Sequence, residues 1–282
     1  MKKEKDIERL IASVSLPNTN SYYENESADG FAFLGAAREI VGLNSEECYM
    51  EVIKRNYTLN AKRTIAPTGA IVDENTQYVY TLWSCIELFS LLKDEKKNNL
   101  LCKTVDEIGK YENGMMRYCT TEIRYLVPNV TSAAAYIYSI NGEYDKAAEL
   151  IEVLEKEQCR NGNWQYKILD KQTNKPSSHK YEDSHHLAMM IYHLREVARL
   201  VNIKTDQIVN KALLHLAGMN KIRLQAGTIG WGIPWLYLAT NGIDLGLSKR
   251  AYDETISKSI LNPNFRTRGV AAFCLAKGTI RG

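Results

Sequence analysis

The densest group of ionisable side chains in the sequence is the run Glu182-Asp183-Ser184-His185-His186. If the run opens a helix, Asp183 continues the apolar stripe of the residues that follow, whereas Glu182 and His185 lie on roughly the opposite side. A carboxylate at the end of an apolar stripe is either buried against a partner or faces a cavity, and both environments shift its pKa. The pattern predicts Asp183 as a general acid or base, with Glu182 and His185 as further catalytic candidates. The alternative is a buried structural carboxylate that holds the preceding loop.

The same run contains residue types that bind zinc. Glu182 and His186 stand at i, i+4, and His179 lies just upstream. Neighbouring histidines diverge on a helix, however, and no motif fixes a third ligand. We therefore predict no metal site and no cofactor.

The elements that must position these residues are predicted to be helices. Apolar residues recur at i, i+3, i+4 and i+7 from about Tyr181 onward. Asn-Gly pairs mark several of the expected helix ends. Helix content above about 60% with negligible strand is therefore expected. Further helical segments are predicted at about 29–42, 46–60, 75–94, 97–111, 129–140, 144–159, 205–219, 233–241, 248–260 and 265–277.

An internal repeat organises these helices. Asn113-Gly-Met-Met-Arg-Tyr118 and Asn161-Gly-Asn-Trp-Gln-Tyr166 share the pattern N-G-x-[M/W]-x-Y at a spacing of 48 residues. A polar loop and another helix follow each copy. A period of about 45–55 residues that contains two helices indicates an array of helical hairpins. Five or six such hairpins fit the chain.

One copy of the repeat carries a family resemblance. Gln158-Cys-Arg-Asn-Gly162-Asn-Trp164 reads Q-x-x-x-G-x-W and resembles the repeat motif of the α/α-toroid (terpenoid cyclase/prenyltransferase-like) superfamily. Tyr125-Leu-Val-Pro-Asn-Val-Thr131, which leads into an alanine-rich helix, looks similar to toroid proteins of polysaccharide biosynthesis. The resemblance implies an all-α fold, an α/α toroid of about five to six helical hairpins. It also implies that Gln158 and Trp164 tie neighbouring hairpins together. The expected organisation is an N-terminal helical extension over 1–20 and a single toroid domain over 21–282.

In a toroid the inner helices begin on one face of the ring, so the loops before them should converge at a cavity mouth. Helix N-termini favour anions there, although Asn129 is also a good N-cap residue. Tyrosine and tryptophan suit stacking on sugar rings, and arginine suits acidic groups. The predicted substrate-binding residues are Asn129, Arg124, Tyr125, Tyr181, Trp231, Trp235, Arg266 and Arg268.

These residue types favour a carbohydrate-active protein of polysaccharide metabolism whose partner is an oligosaccharide or polysaccharide. Two facing carboxylates would permit hydrolysis, and a His or Tyr base with Asn and Arg would permit β-elimination of a uronate. The sequence does not choose between them, nor between catalysis and binding alone. An isoprenoid-handling toroid is less favoured because no D-x-D-D motif is present. A non-catalytic scaffold for a protein partner is the third alternative.

Composition excludes several other classes. The 36 basic and 33 acidic residues are spread along the chain, which argues against a nucleic-acid partner. No apolar run approaches the roughly 20 residues that span a membrane, and the N-terminus reads poorly as a secretory signal. The six cysteines lie far apart, which is typical of free thiols. A cytoplasmic location is expected.

Overall fold

A computed structural model describes part of the chain. The described residues are 2–16, 28–48, 50–51, 102–103, 105–117, 125–169, 176–178, 184–219, 239, 268–269, 271–273 and 275–276. Of these residues 71% are helical, which confirms the predicted helix content. The chain divides into two compact units, one of Met1–Thr58, Ser84–Asp94 and Leu224–Gly282 and the other of Leu59–Trp83 and Glu95–Arg223. The domain boundaries expected from the sequence stay a prediction.

The first unit contains helices α1 (Lys2–Ala12) and α2 (Ala28–Ile40), which pack against each other. Residues 30–37 of α2 are all buried, and Phe33 packs on Phe273 with ring centroids 5.1 Å apart. Arg38 donates a hydrogen bond of 3.2 Å to the carbonyl of Val14, which fixes the chain after α1.

The second unit holds most of the described structure. Its elements in chain order are β1 (Tyr125–Leu126), α3 (Pro128–Ile140), α4 (Tyr144–Glu157), β2 (Lys167–Leu169), β3 (Pro176–Ser178), α5 (Ser184–Val201) and α6 (Asp206–Gly218). Helix α3 packs on both α4 and α5, and α5 packs on α6. Every residue of α3 from Pro128 to Ser139 is buried, whereas α4 buries only one face. Helix α3 is therefore an inner helix, and α4 is an outer one.

Three short strands lie between the helices, where the sequence predicted only polar loops. They form an antiparallel sheet in the order β1-β2-β3, in which Tyr125 pairs with Ile168 and Ile168 pairs with Ser177. Strands of two or three residues are too short to show the alternation by which a strand is recognised in sequence. The sheet ties the loop before α3 to the loop before α5.

The sequence repeat is a repeated turn. Asn113 and Asn161 each accept a hydrogen bond of 3.2 Å through Oδ1 from the backbone N–H two residues on. The bond from Gly114 N to Tyr111 O corresponds to the bond from Gly162 N to Cys159 O, and both are 2.9 Å long. The spacing of 48 residues therefore corresponds to one structural unit, as predicted.

Gln158 and Trp164 connect the second copy of this turn to its surroundings. Gln158 Nε2 donates to the carbonyls of Gly162 at 3.0 Å and of Ile208 in α6 at 2.8 Å. Trp164 is 2% exposed, and its Nε1 donates to the carbonyl of Leu154 at 2.7 Å. Gln158 therefore ties the end of α4 to α6, as the resemblance implied, and Trp164 is a buried residue bonded to α4.

The described cysteines behave as the sequence predicted. Cys48, Cys102 and Cys159 are free thiols, and the first two are buried. Burial raises the pKa of both Cys48 and Cys102 to about 11, so these two thiols are protonated at neutral pH.

Candidate functional site

A polar cluster lies where α3 and α5 begin. Tyr166 comes directly before β2, and its hydroxyl donates to Asn129 Oδ1 at 2.9 Å. Asn129 is 4% exposed and sits in the first turn of α3. The interpretation of Asn129 as an N-cap is wrong: α3 begins at Pro128, Val127 is the capping position, and no side chain caps this end. Because a proline at N1 has no N–H, one fewer backbone donor at this helix end needs a partner. The Asn129 side chain instead accepts the hydrogen bond from Tyr166.

The third member of this cluster is His186, in the first turn of α5. Its ring meets that of Tyr166 at a centroid distance of 5.9 Å and an interplanar angle of 60°. Tyr166 thus contacts the N-terminal ends of two neighbouring helices. We call Asn129, Tyr166 and His186 the Tyr166 cluster. An amide, a phenol and an imidazole together offer hydrogen-bond donors and acceptors beside an aromatic surface.

Two buried residues, Ser132 of α3 and His193 of α5, lie next to Asn129 of the Tyr166 cluster. Ser132 Oγ lies 2.8 Å from the carbonyl oxygen of Asn129 and 3.0 Å from His193 Nδ1 of α5. His193 is fully buried and stacks on Tyr136 at a centroid distance of 5.7 Å. Burial lowers the pKa of His193 to about 3, so the imidazole is neutral.

The structure describes only some of the predicted site residues. Asn129 belongs to the Tyr166 cluster. Tyr125 lies in β1 and His185 in the first turn of α5, but their side chains lie outside the described part of the chain. Arg268 belongs to the first unit, is half-buried and begins a described helical stretch. The other predicted residues lie outside the described ranges: Asp183, Glu182, Arg124, Tyr181, Trp231, Trp235 and Arg266.

Sequence reasoning did not choose Tyr166 or His186 as site residues. The signal for Tyr166 was present, since a tyrosine ends both copies of the repeat pattern. The sequence pattern points to His186 only as a possible zinc ligand, through its i, i+4 spacing from Glu182. Among the described residues, no three His, Cys, Asp or Glu side chains are grouped so that they could hold a metal ion.

A separate polar group lies near the other end of α3. Tyr138 donates to Asp106 Oδ1 at 2.7 Å, and Lys146 pairs with Asp106 Oδ2 at 2.8 Å. Burial and the bond to Asp106 raise the pKa of the Tyr138 phenol. Burial alone would raise the pKa of Asp106, but the bonds from Lys146 and Tyr138 outweigh it and lower that pKa. Asp106 accepts the hydrogen bond from Tyr138 and pairs with Lys146, so this group links α3 to Asp106 earlier in the chain and to α4.

Comparison of the structure with solved structures identifies the fold. At the level of sequence, no family model and no curated protein matches the chain. One similar structure is an inactive variant of an α-1,6-mannanase of glycoside hydrolase family 76 from Salegentibacter sp. HEL1_6, bound to α-1,6-mannotriose. Its TM-score is 0.64 at 10% sequence identity, and the match covers 100% of this chain and 99% of that one. The chain has the α/α-toroid fold.

Two further similar structures carry other activities on the same fold. A sugar epimerase from a ruminal bacterium has a TM-score of 0.61 and 10% identity, over 98% of both chains. An unsaturated glucuronyl hydrolase specific for heparin has a TM-score of 0.56 and 10% identity, over 98% of this chain and 95% of that one. The all-α toroid that the repeat motif implied is confirmed, and the fold leaves the reaction open.

Among the described helices, none combines the length and apolar character needed to cross a membrane.

Proposed function

We propose that this protein is carbohydrate-active and binds or cleaves a glycan where α3 and α5 begin. The observation that carries the proposal is the Tyr166 cluster, in which the Tyr166 hydroxyl bonds Asn129 Oδ1 and the Tyr166 ring meets His186. An aromatic ring flanked by an amide and an imidazole can stack on a sugar and bond its hydroxyl groups.

The similar structures support a sugar ligand. Their names describe a mannanase, a sugar epimerase and a glucuronyl hydrolase. The mannanase is named as inactive when two consecutive aspartates are replaced. This chain has the consecutive acids Glu182 and Asp183 immediately before α5, four and three residues before His186 respectively. We assign Asp183 as general acid or base, with Glu182 and His185 as further catalytic candidates.

Two reactions suit these residues. In hydrolysis, one carboxyl group protonates the glycosidic oxygen while the other activates water or attacks the anomeric carbon. In elimination from a uronate, His185 or Tyr181 removes the proton beside the carboxylate, and Asn129 and Arg124 stabilise the charge that develops. Arg124 and the helix N-termini favour an anionic glycan for the second reaction.

The test uses a panel of α-1,6-mannooligosaccharides and oligouronides, with binding measured by calorimetry and products by mass spectrometry. We expect Asp183→Asn to reduce turnover or binding at least about 100-fold while stability changes by no more than about 1–2 kcal/mol. Glu152→Gln, at an exposed carboxylate of α4, should change neither. A product with water added indicates hydrolysis, whereas an unsaturated product of unchanged total mass indicates elimination.

Two experimental results would contradict this proposal. If the protein binds no member of the panel, or if Asp183→Asn behaves like Glu152→Gln, the carbohydrate assignment loses its best residue. Binding of an isoprenyl diphosphate would then favour the isoprenoid alternative. Copurification of a defined stoichiometric protein partner would favour the scaffold.

A further inference from the structure

The fully buried pair Ser132 and His193 fixes the first turn of α3. Ser132 Oγ has a single proton but two close neighbours, the carbonyl oxygen of Asn129 at 2.8 Å and His193 Nδ1 at 3.0 Å. A carbonyl oxygen can only accept. If the hydroxyl donated to His193, its lone pairs would face those of the Asn129 carbonyl, and the shorter contact would be repulsive.

The geometry therefore assigns the proton positions. Ser132 donates to the Asn129 carbonyl and accepts from His193 Nδ1–H, so the neutral imidazole carries its proton on Nδ1. Neutrality is consistent with complete burial of His193, which lowers its pKa far below the physiological range. The chain of donors runs from α5 through Ser132 to the backbone of Asn129.

We infer that His193 is a positioning residue which, through Ser132, holds Asn129 where its side chain receives the Tyr166 hydroxyl. Asn129 provides both the carbonyl that Ser132 bonds and the Oδ1 that Tyr166 bonds. A shift of that first turn would move the amide relative to Tyr166. The effect on glycan binding rests on the proposed function, but the effect on Asn129 does not.

The hydrogen-bond assignment is tested by nuclear magnetic resonance of protein labelled with 15N-histidine. The expected result is an Nδ1–H tautomer of His193 that does not change between pH 5 and pH 8. Detection of the Nε2–H tautomer would overturn the inference, because Ser132 would then have no donor on the imidazole.

Positioning is tested by two matched substitutions. The carboxamide nitrogen of His193→Asn occupies the same branch as Nδ1 and can still donate to Ser132, whereas that of His193→Gln lies one bond farther out. We expect His193→Gln to shift the side-chain amide resonance of Asn129 and to weaken glycan binding about five- to tenfold. His193→Asn should restore much of both. Equal behaviour of the two variants would show that volume alone matters and would refute positioning.

Ser139 provides a control on the same helix. Its hydroxyl donates to the carbonyl of Tyr136 at 2.7 Å, three residues back, as Ser132 does to Asn129, and it is also buried. Ser132→Ala should shift the Asn129 resonance, and Ser139→Ala should not. If the wild-type protein binds no glycan while the Asn129 shifts follow this pattern, the proposed function fails and the positioning role stands. If glycans bind and His193→Gln leaves both readouts unchanged, the positioning role fails alone.

Discussion

Gly114 and Gly162, 48 residues apart, have the same backbone conformation at the same point of the same turn. Their φ angles are +83° and +89°. A Cβ on Gly114 would lie 2.8 Å from a methyl group of Val153 in α4, and a Cβ on Gly162 would overlap the carbonyl of Lys211 in α6. Each glycine therefore has two roles. It adopts the left-handed conformation that the turn requires, and its lack of a side chain leaves room for α4 at Gly114 and for α6 at Gly162.

Gly162→Ala should destabilise the protein strongly, because both the left-handed conformation and the contact with Lys211 exclude a methyl group. We expect a loss of about 3 kcal/mol or more in the free energy of unfolding, measured with urea. Gly142→Ala is the control, since Gly142 has a φ of +78° and nothing near its would-be Cβ. It should cost only about 1 kcal/mol. Equal losses would mean that conformation alone requires the glycine.

Trp164 should prove structural. Removing a side chain that is 2% exposed leaves a large cavity and an unpaired carbonyl at Leu154, so Trp164→Ala should cost about 3–5 kcal/mol in thermal or urea unfolding. Trp164→Phe keeps most of the volume and loses the hydrogen bond, so its cost should be about 1–3 kcal/mol. A stable Trp164→Ala variant that had lost only glycan binding would assign Trp164 to the ligand instead.

Much of the fold could be predicted because it repeats. The segments predicted at 129–140, 144–159 and 205–219 correspond closely to α3, α4 and α6. The turn at Asn161-Gly162 was visible because a left-handed residue and an Asn side-chain bond restrict the residue types strongly. Because the same turn occurs twice in the structure, the same Asn-Gly pair occurs twice in the sequence.

The local chemistry was harder to predict. Asn129 looked like a cap because its residue type suits one, but Pro128 opens α3 and frees the amide for Tyr166. No periodic pattern encodes a contact such as that between Tyr166 and His186, because it depends on how strands of two or three residues fold between helices. The predicted meeting of Asp183 with the other site residues stays a prediction.

Tyr166→Phe should separate binding from packing. The ring remains against His186, but the nearly buried Asn129 Oδ1 loses its donor, which should cost about 1–3 kcal/mol of stability. Glycan affinity measured by calorimetry should fall about tenfold if the hydroxyl or the oriented amide contacts sugar. Tyr144→Phe, at a tyrosine exposed on α4, should change neither quantity. Unchanged affinity in Tyr166→Phe would remove the cluster from the binding site.

His193 should make stability depend on pH below neutrality. Its pKa is near 6.5 in the unfolded chain and about 3 in the folded protein, because burial disfavours the imidazolium. Between these values the unfolded state binds a proton that the native state does not, so stability falls as the pH drops below 6.5 and this loss ends near pH 3. The slope from this residue approaches about 1.4 kcal/mol per pH unit in that window. Urea unfolding from pH 7 to pH 4 should therefore show a steeper loss for the wild type than for His193→Asn, which cannot titrate, and equal slopes would contradict a buried neutral imidazole.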